Sequence, residues 1–355
     1  MRTLVTGSNS LLGNHIVRCL LQEGHTVRAM VRTTSNVQAL EGLDVELVYG
    51  DVRNPQDLRA AADGCQRIFH TAAVFAYWNF SEEEMNQTAR EGARNVVDAA
   101  KDAGVERLIL TSSAAVLGRN TTIHPMTEKS PATLDDTPAY FRSKALQEQV
   151  AFERARERGV ELISVNPSVI IGPHDFKPSA SMNTVTGYLF DPMKLTYPGG
   201  VNIVHAADAA RGHVLLADQG VPGERYLVSA DNWEWQQVHE TISELCRVGG
   251  PRITMGRRGA MLGTALMELG AKLTKKPPLG TRDQAKLVGS FFWYNHSKAA
   301  ALGYRARSTR EALVDTIAWL IDSPLLNDGQ KAQLNPSIEV EQARTRLSQV
   351  RATAA

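Results

Sequence analysis

Tyr140 and Lys144 are the residues of this sequence best placed to do chemistry. They lie in Ala139-Tyr-Phe-Arg-Ser-Lys-Ala145, whose pattern predicts a helix. Residues four apart on a helix share one face. An ammonium beside a phenol favours the ionised phenol, so the pair predicts a tyrosine that can give and take a proton near neutral pH. Upstream, Arg107-Leu-Ile-Leu-Thr-Ser-Ser113 reads as a buried strand ending in hydroxyls. With an N-terminus that reads as a nucleotide-binding strand–turn–helix, these features point to hydride transfer.

The turn is Leu4-Val-Thr-Gly7-Ser-Asn-Ser10-Leu-Leu-Gly13. Gly7 permits a tight turn and Gly13 permits close packing of helix on sheet, so the free N–H groups of the helix start can face a pyrophosphate. Ser10 stands where the short-form fingerprint has glycine, and a Cβ there narrows the approach; the same spacing also fits an ordinary strand–turn–helix. The second strand ends Arg28-Ala-Met-Val-Arg32-Thr-Thr-Ser35, with no acid. An acid at this place binds the ribose 2′-hydroxyl of NAD, whereas an arginine accepts the 2′-phosphate of NADP. Arg32 therefore predicts NADP(H) in preference to NAD(H), the alternative being that Arg28 and Arg32 are solvated strand-end charges. Asp51 and Val52 follow the third strand, where they can read the adenine edge; otherwise Asp51 caps the helix before Pro55.

Positioning these groups requires strands at Thr3–Thr6, Thr26–Arg32, Val45–Tyr49, Arg67–Thr71, Arg107–Ser112 and Glu161–Asn166. Helical patterns occupy Leu11–Glu23, Pro55–Asp63, Ser81–Ala103 and Pro138–Arg158. Such alternation predicts an α/β chain: a Rossmann-type doubly wound parallel sheet with a smaller C-terminal α/β substrate lobe. The expected division is a dinucleotide-binding domain over 1–172, joined again by 201–219, and a lobe of 173–200 and 220–325. Asp208 is expected to cap a helix running to about Ala217, and Arg225–Ser229 to be a strand of the lobe. Residues 326–355 are polar and are expected to be disordered or to form a peripheral helix.

The 355 residues are 43% hydrophobic and 22% charged, an ordinary globular composition. A formal net charge of +1 gives no sign of a nucleic-acid or anionic-membrane surface. Cys19, Cys65 and Cys246 show no metal or disulfide spacing, and no apolar run reaches the length of a membrane span. The first strand begins at Arg2, leaving no room for a signal peptide, so a cytoplasmic chain with reduced thiols and no metal is expected. His70, His124, His174 and His205 form no spaced ligand set.

Thr6-Gly7…Gly13, Gly50-Asp51-Val52, His70-Thr-Ala-Ala73, Asn86…Gly92…Asn95, Thr111-Ser-Ser113-Ala, Tyr140-x-x-x-Lys144, Asn166-Pro167-Ser168, Val204-His-Ala-Ala-Asp208 and Ser297-Lys-Ala…Leu302-Gly-Tyr304 occur in this order. In them the chain resembles an extended short-chain dehydrogenase/reductase of the dihydroflavonol-4-reductase-like branch, and is similar to bacterial hopanoid-associated sugar epimerase-type proteins. The resemblance covers roughly residues 1–320. It implies a catalytic triad of Ser113, Tyr140 and Lys144. Ser113 would bond the substrate carbonyl oxygen, Tyr140 would deliver the proton, and Lys144 would lower the phenol's pKa and reach the ribose. It implies cofactor contacts from Thr6, Gly7, Asn9, Ser10, Leu11, Leu12, Gly13, Arg32, Ser35, Asp51, Val52, Thr71, Ala72, Ala73, Thr111, Ser112, Tyr140, Lys144, Asn166, Pro167, Ser168 and Val169. It also implies a homodimer through the helices near 85–103 and 138–158.

Phe75, Tyr77, Trp78 and Phe80 form an aromatic loop where ligands bind an open α/β sheet, which suits an apolar substrate or simple packing. With Ser113, Val116, Met182 and Tyr188 the first three are the predicted substrate pocket. Plant flavonoid reductases carry an asparagine where this chain has Gly118, and the cinnamoyl-CoA reductase signature Asn-Trp-Tyr-Cys-Tyr is absent, so neither plant substrate is carried over. Leu262, Ala265, Leu266, Leu269 and Leu273 make an apolar stripe flanked by Arg257, Arg258, Lys275 and Lys276, expected to pack on the lobe or, alternatively, to touch membrane lipid. The leading functional reading is an NADP-dependent reductase of a mid-sized hydrophobic ketone or aldehyde, acting on a small molecule and not on nucleic acid. The alternatives are a nucleotide-sugar epimerase or dehydratase with tightly held cofactor, for which 175–235 holds no persuasive arginine set, and a non-catalytic NADP-sensing regulator.

Overall fold

A computed structural model describes residues 1–72, 81–176, 179–274, 278 and 280–353. The first half alternates as the pattern requires: β1 (Arg2–Thr6), α1 (Leu11–Gln22), β2 (Thr26–Val31), β3 (Val45–Tyr49), α2 (Pro55–Ala62), β4 (Arg67–His70), α3 (Glu82–Asp102), β5 (Arg107–Thr111), α4 (Ala139–Arg158) and β6 (Leu162–Pro167). There follow β7 (Val169–Ile171), α5 (Asn183–Leu189), β8 (Leu195–Thr196), β9 (Gly200–His205), α6 (Ala206–Gln219), β10 (Arg225–Val228), β11 (Asn232–Glu234), α7 (Trp235–Cys246), β12 (Ile253–Thr254) and α8 (Arg257–Thr274). The chain ends with α9 (Arg282–Ala285), β13 (Phe291–Phe292), α10 (Ser297–Ala301), α11 (Thr309–Asp322), α12 (Asp328–Lys331) and α13 (Ile338–Thr353).

The main sheet runs β10-β6-β5-β4-β1-β2-β3, parallel throughout. Both faces are covered, so neighbouring residues of one strand enter different cores. Val5 packs with α1 and α6 on one face, and Leu4 with α2, α3 and α4 on the other. The strand order reverses direction between β1 and β4, and at such a switch point a crevice opens beyond the carboxyl ends of the strands.

Two sequence expectations change here. Arg225–Val228 is not a lobe strand: it pairs with β6 and is the seventh strand of the main sheet. Asp208 is not the cap of α6; His205 is, its Nδ1 accepting the Ala207 N–H at 3.0 Å. Asp208 is buried instead, bonded by Arg307 Nη2 at 3.0 Å and by Arg211. Arg211 is its neighbour three residues along the same helix, whereas Arg307 comes from a distant segment, a pairing no local pattern announces.

The lobe has its own core, built from α5, α7, α11 and α13 with β9 and β7. The tail is a helix. α13 inserts Val340 and Ala343, both fully buried, into this core, while Arg310 bonds Glu339 and Arg344 bonds Asp322 on the rim. Among the described residues no helix is long and apolar enough to cross a membrane, and the three cysteines are buried and unpaired. Val340→Asp places an unpaired carboxylate in the lobe core and is expected to destabilise by about 3 kcal/mol or more. Glu341→Ala, which removes an exposed ion pair to Arg344, is expected to change stability by less than about 1 kcal/mol. Thermal melts of the two variants check the contrast.

Candidate functional site

Each group of the candidate site is held at the carboxyl end of a strand. After β1, Gly7 takes φ +68°, and its N–H bonds Met30 O at 3.1 Å. Thr71 Oγ1 donates to Thr6 O at 2.7 Å, which closes β4 onto the turn. A Cβ at Gly13 would collide with the Gly7 carbonyl oxygen, so α1 meets the turn at a distance only glycine allows. Ser10 is the N-cap of α1, with ordinary extended backbone, and its Oγ accepts the Gly13 N–H at 3.1 Å. The serine therefore replaces the fingerprint glycine without strain, and uses one of the N–H groups that open the helix. Those of Leu11 and Leu12 remain, with no intrahelical acceptor. Asn9 Nδ2 donates to Asn36 O at 3.1 Å, tying this turn to the loop after β2.

That loop carries Arg32 and Ser35, with Arg32 exposed and the Ser35 N–H bonded to Arg32 O at 2.9 Å. Arg28 is elsewhere: its guanidinium is buried against Ala61 O, Asp63 O and Glu46. Asp51 does not cap α2; Asn54 does. Asp51 folds back on Arg53, accepting its N–H and Nε at 2.9 and 3.0 Å, and the Arg53 guanidinium beside it holds its carboxyl below the usual range. Val52 O accepts from Asn95 Nδ2 at 3.2 Å, which places the Asp51-Val52 backbone against α3.

Ser113, Tyr140 and Lys144 come together past β5. Ser113 hydrogen-bonds Tyr140, and its Oγ also accepts the Ala115 N–H at 3.1 Å as the cap of a short 3₁₀ turn, Ala114–Leu117. Lys144, one turn along α4, is 5% exposed and donates from Nζ to Thr111 O at 2.9 Å and to Gln147 Oε1 at 2.5 Å. The expected depression of the phenol is not what the resting site has. Burial pushes Tyr140 up to about 12, against which the Ser113 hydrogen bond acts downward. Burial also lowers Lys144 to about 8, opposed by the carboxylate of Glu148.

Glu148 was not predicted, although Tyr140, Lys144 and Glu148 follow one another at helical spacing of four. It is 1% exposed, accepting Ser164 Oγ and Asn166 Nδ2, both at 2.7 Å, and pairing with Arg225 at 2.5 Å. Asn166 Nδ2 also donates to Ser113 O at 3.1 Å. The Asn166 side chain thus joins Glu148 to the serine loop. Pro167 is buried at the end of β6, and Ser168 and Val169 follow it. The hydroxyls of Ser112 and Ser168 are buried without a hydrogen-bond partner among the described residues. Two unsatisfied hydroxyls and a glycine cradle beside free helix N–H groups fit a dinucleotide, the class of molecule for which polar groups are left open in such a crevice.

Other predicted residues lie differently. Ala72 follows Thr71 at the rim, its N–H on Thr6 Oγ1 at 3.4 Å. Ala73, Phe75, Tyr77, Trp78 and Phe80 lie outside the described residues, as do Lys275 and Lys276. Val116 is buried in a small cluster with Met126, Leu227 and Tyr294. Met182 and Tyr188 are core residues of the lobe, Tyr188 stacked on His239 at 4.3 Å and bonded to Ser243 Oγ at 2.7 Å. Gly118 has φ +77°, and a Cβ there would land on the Thr133 carbonyl. No asparagine fits this backbone. His70 is a buried support: its Nδ1 shares a hydrogen bond with Thr6 Oγ1 at 3.0 Å, and burial lowers it to about 3.

Residues 3–229 match the model of the NAD dependent epimerase/dehydratase family. The chain belongs to this family of extended short-chain dehydrogenases/reductases. It is 33% identical over 323 residues to sterol demethylase protein B of Methylococcus capsulatus, covering 90% of this chain and 98% of that one. It is 30% identical over 321 residues to a putative dihydroflavonol 4-reductase of Synechocystis, covering 89% and 93%. The crystal structure of gox2253 is similar at a TM-score of 0.80, with 31% identity and 92% and 99% coverage.

In this extended dehydrogenase/reductase, any activity that needs the Lys144 ammonium is expected to fall as pH rises through about 8. Glu148→Gln removes the charge that favours the ammonium, so the fall moves to lower pH. The pH dependence of kcat/KM for the two proteins checks the direction of the shift. Gly13→Ala is expected to weaken dinucleotide binding by about tenfold or more, read by nicotinamide fluorescence, since the added methyl forces α1 away from the turn.

Proposed function

We propose that the chain is an NADP(H)-dependent oxidoreductase that reduces a ketone or aldehyde, or oxidises the matching alcohol, of a mid-sized hydrophobic compound. The observation that carries this reading is the Ser113–Tyr140 hydrogen bond, with Lys144 held one turn away at the end of β5. A bound nicotinamide supplies the hydride in the reducing direction and accepts it in the other.

The residues divide the remaining work. Ser113 Oγ accepts the Ala115 N–H and is hydrogen-bonded to Tyr140; a carbonyl oxygen entering beside them would take the serine hydrogen from the phenol as negative charge develops there. Tyr140, raised by burial to about 12, keeps its proton at neutral pH and is the donor to the forming alkoxide. Lys144 has three N–H donors. Two are taken by Thr111 O and Gln147 Oε1, and the third stabilises the phenolate left after proton transfer. Glu148 favours the charged form of that ammonium against the larger effect of burial. Leu11 and Leu12 at the start of α1 would hold the pyrophosphate, and Arg32 the 2′-phosphate. The two relatives named for sterol and dihydroflavonol chemistry support a substrate with an apolar ring system.

A panel of ketones, aldehydes and alcohols, followed by the absorbance of the reduced nicotinamide with NADPH and NADH in parallel, tests the reading. Absence of turnover across the panel, despite cofactor binding, would count against it. Tyr140→Phe is expected to lower kcat by about 10²–10⁴-fold while NADPH still binds. Arg32→Ala is expected to raise the KM for NADPH by roughly tenfold or more and to leave that for NADH unchanged.

A further inference from the structure

The helix α8 is amphipathic in the wrong sense for a packed helix. Its buried residues are small, Ala260 and Ala271. Thr264 shares that side, its hydroxyl turned back to Ala260 O at 2.7 Å. The large side chains face outward: Leu262 is 66% exposed, Leu266 63%, Leu269 58% and Leu273 80%. At 3.6 residues per turn these four leucines fall within an arc of roughly 60°. The sequence pattern had favoured packing of this stripe on the lobe, and the structure turns it to the surface. Leucines gathered on one exposed helix face mark an interaction surface, whereas single exposed apolar residues do not.

The charges choose among partners. The one acid of α8 is Glu268, which is turned from the leucine face and bonded to Arg282, with Arg282 N at 2.7 Å and Nε at 2.8 Å. Arg258 and Lys272 are exposed near the two ends of the helix. The face is thus apolar with cations at its ends and no carboxylate. A second copy docked on it, parallel or antiparallel, would set cation against cation with no acid to relieve them. A lipid surface with negative headgroups satisfies both features: leucines enter the acyl boundary and the cations stay among the headgroups. The near-neutral charge of the whole chain conceals this local asymmetry.

We propose that α8 is a peripheral attachment site for an anionic membrane surface, lying in the interface plane without crossing it. Arg257, at its first turn, pairs with Asp136, four residues before Tyr140. The attachment would therefore sit beside the loop that leads to the candidate site. The proposal does not rest on the hydride chemistry, because its readout is vesicle binding and turnover plays no part.

The test is flotation of the full chain with phosphatidylcholine vesicles and with vesicles that also contain phosphatidylglycerol. The expected result is flotation with the anionic vesicles, weakened by salt, and little with the neutral ones. Leu266→Gln with Leu269→Gln is expected to lower partitioning by about tenfold or more. Arg258→Glu with Lys272→Glu is expected to abolish the preference for anionic lipid. Unchanged far-UV circular dichroism and melting temperature would show that the variants fold. Failure of the wild-type chain to float with anionic vesicles, or equal flotation with both kinds, would overturn the proposal. A wild-type dimer that fails to float and that the leucine variant converts to monomer would assign the face to a second copy and overturn it as well.

Discussion

The candidate site depends on a buried ammonium. Lys144 is almost sealed from water, and the fall of its pKa from 10.5 to about 8 is a net penalty on the order of 3 kcal/mol against its charged form, left after the field of Glu148 one turn further has offset part of the cost of burial. Oxygen atoms hold the ammonium: the Thr111 carbonyl at the end of β5 and the Gln147 amide on the same helix. These contacts also fix geometry. The bond to Thr111 O pins α4 to the strand that leads into Ser113, and Glu148 reaches β6 through Ser164 and Asn166. Asn166 returns to Ser113 O. Serine, tyrosine and lysine are thus positioned by one polar network beneath them, closed at the edge strand β10 by Arg225.

This arrangement explains why the resting phenol is a poor acid although an amine lies one turn away. Burial acts on both groups, each in the direction that favours its neutral form. Tyr140 goes up and Lys144 goes down. A depressed phenol, as read from the spacing alone, needs the ammonium's attraction to outweigh desolvation. Here desolvation outweighs the influence that opposes it on the phenol, the Ser113 hydrogen bond, and the direction reverses.

The parts of the fold and site that were legible in the sequence are those fixed by local chemistry. The strand–turn–helix at Gly7 and Gly13 could be read because glycine suits the positive φ of Gly7, where a Cβ would crowd Thr71 and Ala72, and no Cβ fits at Gly13. The strand and helix spans of the first half follow from apolar period and caps, and differ from the observed bounds by a residue or so at their ends. Other features depend on partners distant in the chain. Arg225–Val228 has only four residues, and the helix before it does not by itself tell which sheet the strand joins. Met182 and Tyr188 carry the composition of a pocket wall and of a core equally well; only His239 and Ser243 settle that Tyr188 is packed. The tail could be read as disordered or as a peripheral helix because α13 is polar; Val340, Ala343 and Leu347 against the lobe core, with Asp322 bonded by Arg344, decide for the helix.

The same distinction between pattern and context governs α8. Its leucine period is as regular as that of any core helix, and period alone reports that a face exists, not which way it turns. Orientation is decided by what the other faces offer. In α8 the side opposite the leucines carries alanine, threonine, the half-exposed Met267 and one glutamate, and that glutamate finds Arg282 on α9. The side bearing Arg257 finds Asp136. Two polar anchors with specific geometry and a tight alanine seam fix the rotation of the helix, and the leucines are left outside. Burial of four leucines would be favourable in water. A helix that forgoes it is held by directional contacts while its apolar free energy stays unspent, which is the condition for a surface that binds something else.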